Sequence, residues 1–139
     1  MATLIDLLED YSQNKFSYPH RTCCTLLSDL SDIRGVDGVR EFYDKRIGKY
    51  KTEKGARNYV ARRYSDFTHF HSEAWKSTSP MRFETLLGLP PGAVLTGRVK
   101  DQETVGVIGP DGYTYVLTED GLRILHEYTN EEACWEMVL

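Results

Sequence analysis

The sequence predicts an α+β fold in which N-terminal helices are followed by a small antiparallel β-meander. Apolar residues recur at helical spacing through the first half of the 139-residue chain. From residue 92 onward they form short β-branched and aromatic runs, two of which flank the turn sequence Gly-Pro-Asp-Gly at 109–112. At this length we expect one domain over 1–139, with 1–63 mainly helical, 64–91 irregular and 92–139 mainly strands.

Four helices are predicted in the first half. An apolar stripe at i, i+3, i+4 and i+7 predicts the first helix. Thr22 is suited to cap the second, which buries several leucines and ends at Gly35, and Thr52 is suited to cap the fourth. The expected helices cover, in order, about 2–11, from Thr22 to Gly35, a short stretch within 36–50, and 53–63.

The second half predicts strands. Short runs with β-branched and aromatic residues are separated by turn signals, which is typical of an antiparallel meander. Between the two halves, aromatic residues alternate with Ser and Thr and prolines interrupt, so we predict mostly loop with short elements over 64–91. The expected strands are Val94 to Val99, Thr104 to Ile108, Tyr113 to Leu117 and a further segment from Gly121 to Tyr128.

Hydropathy and cysteine content narrow the class of protein. No apolar run reaches the ~18 residues that a membrane-spanning helix needs, and the first ten residues lack the pattern of a signal peptide. The three cysteines, Cys23, Cys24 and Cys134, cannot all pair, and adjacent cysteines do not normally bridge each other. We therefore expect no membrane contact and a reducing compartment.

The charge distribution is uneven. Residues 34–63 carry ten Lys or Arg against four acids, so this segment is +6 and the rest of the chain is −10. Such a segment can dock on nucleic acid or on an acidic protein surface. Interleaved tyrosines suit base stacking, but at core-facing spacing they equally suit a buried helix face. The candidate interface residues are Lys49, Tyr50, Lys51, Arg57, Arg62 and Arg63.

One run of the sequence resembles a known motif. Residues 16–24, Phe-Ser-Tyr-Pro-His-Arg-Thr-Cys-Cys, resemble the Phe-x-Trp-Gly-x-x-Asp-Cys-Cys type motif of a family of small proteins encoded by tailed phages and prophages. That family is a remote relative of the papain-like NlpC cell-wall peptidases. Further similar landmarks follow in matching order: Gly35-Val36-Asp37, Tyr50-x-Thr52, Gly55-Ala56-Arg57, Pro91-Gly92-Ala93-Val94, Val105-Gly106-Val107, Asp120-Gly121-Leu122 and Trp135. The chain departs from the pattern at Tyr18, Pro19, Thr22 and Ala93.

The resemblance implies a papain-like, NlpC-like arrangement and raises the question of catalysis. A papain-like hydrolase needs a thiolate at a helix N-terminus and an imidazole on a facing strand. Cys23 fits the first role. By the resemblance the histidine belongs around Thr104, Val105 and Gly106, whereas the histidines of this chain are His20, His69, His71 and His126. We therefore predict a degenerate arrangement in which Cys23 and Cys24 are packing residues.

No metal or cofactor is expected. His69, His71 and Glu73 alternate with period two and on a strand would share one face, which is one pattern of a metal site. Three neighbours on one strand seldom converge on an ion without ligands from another segment, so a solvent-facing polar edge is the preferred interpretation. Phosphate-binding motifs of the Walker or dinucleotide type are absent from the sequence.

Together these observations lead to one hypothesis and two alternatives. The hypothesis, implied by the resemblance, is a structural virion component of a tailed bacteriophage, made in the host bacterial cytoplasm. Its partners would be other tail or tail-hub subunits, and it would not be an enzyme. The first alternative is a cysteine peptidase or amidase that cleaves peptidoglycan through Cys23. The second is an accessory protein that binds nucleic acid through the basic segment.

Overall fold

The fold combines helices with one antiparallel sheet, as predicted. The computed structural model describes residues 3–17, 21–47, 49–82, 88–118, 120–124 and 133–139. The described helices are α1 (Leu4–Gln13), α2 (Cys23–Arg34), α3 (Val39–Ile47), α4 (Glu53–Arg63) and α5 (Phe67–Ala74). The described strands are β1 (Met81–Arg82), β2 (Val94–Val99), β3 (Gln102–Ile108), β4 (Thr114–Thr118), β5 (Gly121–Ile124) and β6 (Ala133–Val138).

The helix boundaries follow from capping chemistry. The Thr22 hydroxyl accepts the Thr25 backbone N–H, and the chain leaves α2 at Gly35 with a φ of 69°, which a glycine adopts without steric cost. The Thr52 hydroxyl accepts the Gly55 N–H at 3.0 Å and begins α4. Both predicted caps are confirmed, because each satisfies backbone groups that the helix itself cannot.

Residues 67–74 were expected to be irregular and instead form α5. The Asp66 carboxylate caps this helix by accepting the His69 N–H at 2.7 Å. Phe70, His71 and Ala74 lie on its buried side, so the segment has a helical apolar stripe. Short elements were expected somewhere in 64–91, but this helix was not identified, because polar residues lie between the members of its stripe.

The sheet differs from a simple meander in the place of its last strand. Strands β2, β3, β4 and β5 are neighbours in chain order, but β6 lies between β1 and β2, so that the order is β1-β6-β2-β3-β4-β5. All described pairs are antiparallel. The last described strand therefore lies inside the sheet, one place from its edge. Residues 125–128 of the fourth predicted strand lie outside the described residues.

The predicted hairpin at 109–112 is confirmed. The Gly112 N–H donates to the Gly109 carbonyl at 3.0 Å, and Val107 of β3 is paired with Tyr115 of β4. Because side chains alternate along a strand, Val105 and Val107 share the helix-facing side of the sheet with residues of β4, as predicted. The core between the helices and the sheet includes Val105, Val107 and Leu117, and Tyr115 packs against it.

The sheet is buried on both faces. One face packs against the helices, with Leu26, Leu27, Leu30 and Trp75 inaccessible to solvent. The other carries a second apolar cluster that includes Leu95, Ile108 and Trp135. No helix within the described ranges is long and apolar enough to cross a bilayer.

A β-bulge joins the sheet to α5. Between β2 and β6 the pairing passes from Thr96–Met137 to Gly97–Trp135, which leaves Glu136 as an extra residue. The Glu136 carboxylate accepts the Thr68 hydroxyl of α5 at 3.0 Å. The extra residue of the bulge in β6 thus makes a hydrogen bond to the start of α5.

Candidate functional site

A cleft of about 720 Å³ lies where the start of α2, one side of α4 and the ends of the central strands meet. The start of α2 provides Cys23 and Cys24. The helix α4 contributes a wall, although Ala56 is its one buried residue among those described. The remaining walls come from Phe16, the start of α5, the β2–β3 connection and the end of β4.

The cleft lies beside the point where the described pairing of β3 with β4 ends. Their described pairing covers only Gly106 to Ile108 of β3, although β3 begins at Gln102. Below the paired region, the Thr104 hydroxyl donates to the Leu117 carbonyl at 2.8 Å. A side chain therefore satisfies a strand carbonyl at the point where the strands separate.

The two cysteines occupy the first turn of α2, as predicted for Cys23. Cys23 is half-buried and Cys24 is buried, and the Cys24 sulfur lies 3.5 Å from the Tyr50 hydroxyl oxygen. The hydrogen bond to Cys24, together with burial, raises the pKa of the Cys23 thiol well above its usual value, and the nearby Arg57 opposes this only in part. A thiol with a raised pKa is a poor nucleophile at neutral pH, because little of it is thiolate. The same hydrogen bond lowers the pKa of the buried Cys24 thiol.

Among the described residues that line the cleft there is no histidine. Thr104, one of the positions to which the resemblance assigns the base, does line it, whereas Val105 is fully buried in the core. His71 is fully buried on α5 and is not part of the cleft. Of the other two histidines, His20 precedes Cys23 by three residues in the sequence, and both His20 and His126 lie outside the described residues.

Of the four described carboxylates that line the cleft, three are engaged in structural contacts, and the fourth belongs to Asp120. Glu53 forms an ion pair with Arg57 at 3.0 Å. Glu103 accepts the backbone N–H of Phe67 at 2.9 Å, and Asp66 caps the same helix. Negative charge at a helix start is favourable because the first amides have no partners within the helix. Glu53, Asp66 and Glu103 therefore act as structural groups at the starts of α4 and α5.

Most of the Lys and Arg side chains of residues 34–63 already contact an acidic side chain or an aromatic ring of the same chain. Arg40 bridges Asp29 and Asp32, Lys45 pairs with Glu41, and Arg57 pairs with Glu53. Three further arginines lie over aromatic rings, namely Arg34 over Trp75, Arg46 over Phe42 and Arg63 over Tyr59. The other four cations of residues 34–63 are exposed and form neither an ion pair nor a ring contact within the described part of the chain, and we call them the cation patch: Lys49, Lys51, Lys54 and Arg62.

The tyrosines of this segment lie in the core and not on a stacking surface. Tyr43 is 1% exposed and Tyr50 is 7% exposed. The Tyr50 ring packs against the Tyr59 ring at 5.6 Å, and the Arg63 guanidinium covers Tyr59 at 4.1 Å. Tyr50, a candidate interface residue by sequence, therefore lies in the wall of the cleft. Arg62 and the two lysines at 49 and 51 are exposed, as a docking surface requires.

The pattern His69, His71 and Glu73 lies on a helix and not on a strand. His69 and Glu73 are one helical turn apart, with the His69 Nε2 3.5 Å from a Glu73 oxygen, whereas His71 is directed into the core. The assumption of a shared strand face is wrong, and the solvent-facing edge is wrong for His71. Within the described ranges no group of three or more potential ligands could hold a metal ion.

Sequence reasoning missed a buried polar pair at His71. Its Nδ1 lies 2.5 Å from the Tyr43 hydroxyl oxygen, and its Nε2 is buried with no partner in the described structure. The signal that could have found it is the stripe Phe67, Phe70, His71 and Ala74 at i, i+3, i+4 and i+7, following the cap Asp66.

Comparison with known proteins adds no relative: no protein-family model, no curated protein and no solved structure matches the chain.

Proposed function

We propose that this chain is a non-enzymatic structural component of a tailed bacteriophage, located in the tail or tail hub of the virion, that works by protein–protein assembly. The observation that carries the non-enzymatic part is the cleft around Cys23. Burial and the contact with Cys24 raise the pKa of its thiol, its described lining offers no imidazole, and three of its four described carboxylates make structural contacts. The phage assignment depends on the motif resemblance of residues 16–24.

The cation patch supplies the docking surface. Lys54 and Arg62 lie on the exposed side of α4, two turns apart, and the two lysines at 49 and 51 precede the helix. Cations without internal partners raise the rate of encounter with an acidic surface and fix its orientation. The described patch exposes no aromatic ring for base stacking, because Tyr50 is buried and Arg63 covers Tyr59. We therefore favour an acidic tail or hub subunit over nucleic acid as the partner.

Charge reversal of the patch tests the assembly role. In a phage that carries this gene, deletion followed by complementation with K54E/R62E should lower the yield of complete tailed particles at least about tenfold, because two attractive contacts become repulsive. The measurement is particle counting by electron microscopy and infectivity.

The matched control is K15E/K76E, which changes the net charge equally at two exposed lysines outside the patch. Normal yield is expected for it. Normal particles from K54E/R62E contradict the docking surface, and complete particles from the deletion itself contradict the structural role. If K54E/R62E assembles normally but loses duplex-DNA binding at physiological salt, the nucleic-acid alternative replaces the proposal.

Incubation of the chain with peptidoglycan tests whether the Cys23 thiol is catalytic. Purified chain incubated with bacterial peptidoglycan should release no fragments, and Cys23→Ser should be indistinguishable from the parent, because a protonated thiol without a base does not attack an amide. Fragment release is measured by chromatography, with a known peptidoglycan hydrolase as the positive control. Cleavage that disappears in Cys23→Ser would establish the hydrolase alternative.

A further inference from the structure

The proposed function gives no role to two sulfurs that lie side by side in the cleft. Cys23 and Cys24 are the first two residues of α2, and a hydrogen bond joins their two thiols. Both line the cleft, and Cys23 is partly accessible to solvent. The third cysteine, Cys134, is exposed on β6 and is not among the residues that line the cleft.

We propose that Cys23 and Cys24 form a two-sulfur site for a soft, thiophilic ligand, such as a trivalent arsenical or a soft divalent metal ion, that enters through the cleft. Sulfur ligands select soft ions over Mg²⁺ and Ca²⁺, which require oxygen. Since no group of three potential ligands exists within the described residues, the ligand must be one that two protein sulfurs hold, with water or its own substituent completing the shell.

Three neighbouring groups favour negative charge on the sulfurs when a ligand displaces their protons, although burial and the contact with Cys24 raise the pKa of the free Cys23 thiol. The first turn of α2 presents unpaired backbone amides, which stabilise negative charge. The Tyr50 hydroxyl lies 3.5 Å from the Cys24 sulfur and restricts its orientation, and Arg57 acts electrostatically on Cys23 to favour the thiolate. The cleft has room for a substituent of the size of a phenyl ring, since its volume is about 720 Å³.

The reaction with an arsenical is a ligand exchange without oxidation. With phenylarsine oxide, two S–H bonds break and two As–S bonds form. The arsenic-bound oxygen leaves as water with the two thiol protons, and arsenic stays trivalent. With Cd²⁺, two protons are released to solvent, so we expect cadmium affinity to rise with pH.

The wild-type chain contains an internal control for the test. Trypsin cleaves after Arg21 and Arg34, so the peptide 22–34 carries both cleft cysteines, while Cys134 lies in the peptide 124–139. The folded, reduced chain is incubated with one equivalent of phenylarsine oxide, gel-filtered, unfolded and alkylated. We expect the cysteines of 22–34 to be protected and Cys134 to be alkylated. Alkylation of both peptides, or protection of Cys134 instead, would overturn the proposal.

Two further measurements separate a site built by the fold from two adjacent thiols. In a Cys134→Ser background, Cys23→Ser and Cys24→Ser should each weaken arsenical binding about 100-fold or more, because the second sulfur binds at high effective concentration. Binding within threefold of the parent contradicts a two-sulfur site.

The thermal midpoint of the wild-type chain should rise with the arsenical, because a ligand that prefers the folded state stabilises it. A midpoint that falls or stays constant contradicts a site in the folded protein. None of these readouts depends on the assembly role.

Discussion

The free energy of unfolding should fall by about 1.4 kcal/mol for each pH unit as the pH drops from 6.5 towards 4.5, because of His71 alone. Burial lowers the pKa of His71 from 6.5 to about 3. Between these values the unfolded chain binds a proton at this imidazole and the folded chain does not. The contribution of His71 to the free energy of unfolding is therefore complete above pH 6.5. It is lost as the pH falls, and the loss reaches about 2–3 kcal/mol at pH 4.5.

Urea unfolding at four pH values between 7.5 and 4.5 measures this slope. His71→Gln should be less stable than the parent at pH 7.5 and should lose most of the slope, since glutamine does not titrate. The matched control is His69→Gln, on the same helix but with a side chain that is 42% exposed, and it should keep the slope. An unchanged slope in His71→Gln would show that other groups cause the acid sensitivity.

Gly97→Ala should cost about 2–3 kcal/mol of unfolding free energy, because the added methyl group has no room. A Cβ at Gly97 would overlap the Cys134 carbonyl oxygen and lie 2.7 Å from the Trp135 Cα. Both atoms belong to the backbone of β6 at the bulge, so no side-chain rotation relieves the contact, and the strands must separate. Thermal and urea unfolding measure the loss.

Gly55→Ala is the comparison for this substitution. A Cβ there would lie 3.2 Å from the Thr52 hydroxyl and meet no backbone closer than 4.0 Å, and alanine favours the helix that contains it. We expect its stability to stay within about 1 kcal/mol of the parent. Equal losses in both variants would mean that the bulge at Gly97 tolerates a side chain.

Features determined by near neighbours in the sequence could be predicted, and features determined by distant contacts could not. The caps at Thr22 and Thr52 depend on residues three positions away, and the turn at 109–112 depends on its own four residues. The position of β6 between β1 and β2 depends on pairing across more than 30 residues, for which a single sequence carries no local signal.

The candidate site shows the same division. That Cys23 opens a helix followed from the cap before it. The walls of the cleft depend on contacts between residues distant in sequence, such as the hydrogen bond from Thr104 to the Leu117 carbonyl 13 residues away. The net charge of residues 34–63 follows from the sequence. The choice of which cations remain unpaired depends on tertiary contacts, such as those of Arg40 with Asp29 and Asp32.

The position of β6 also has a consequence for how the chain acquires its structure during synthesis. The strands β1 and β2 emerge from the ribosome well before their common neighbour β6, and until then each has an edge without its final partner. The hydrogen bond between Thr68, at the start of α5, and Glu136 also cannot form until β6 has been synthesised. Ribosome-bound intermediates that lack 133–138 should therefore be the stage at which this protein is most exposed to aggregation and to chaperone binding, and closure of the sheet should be a late, non-local and slow step.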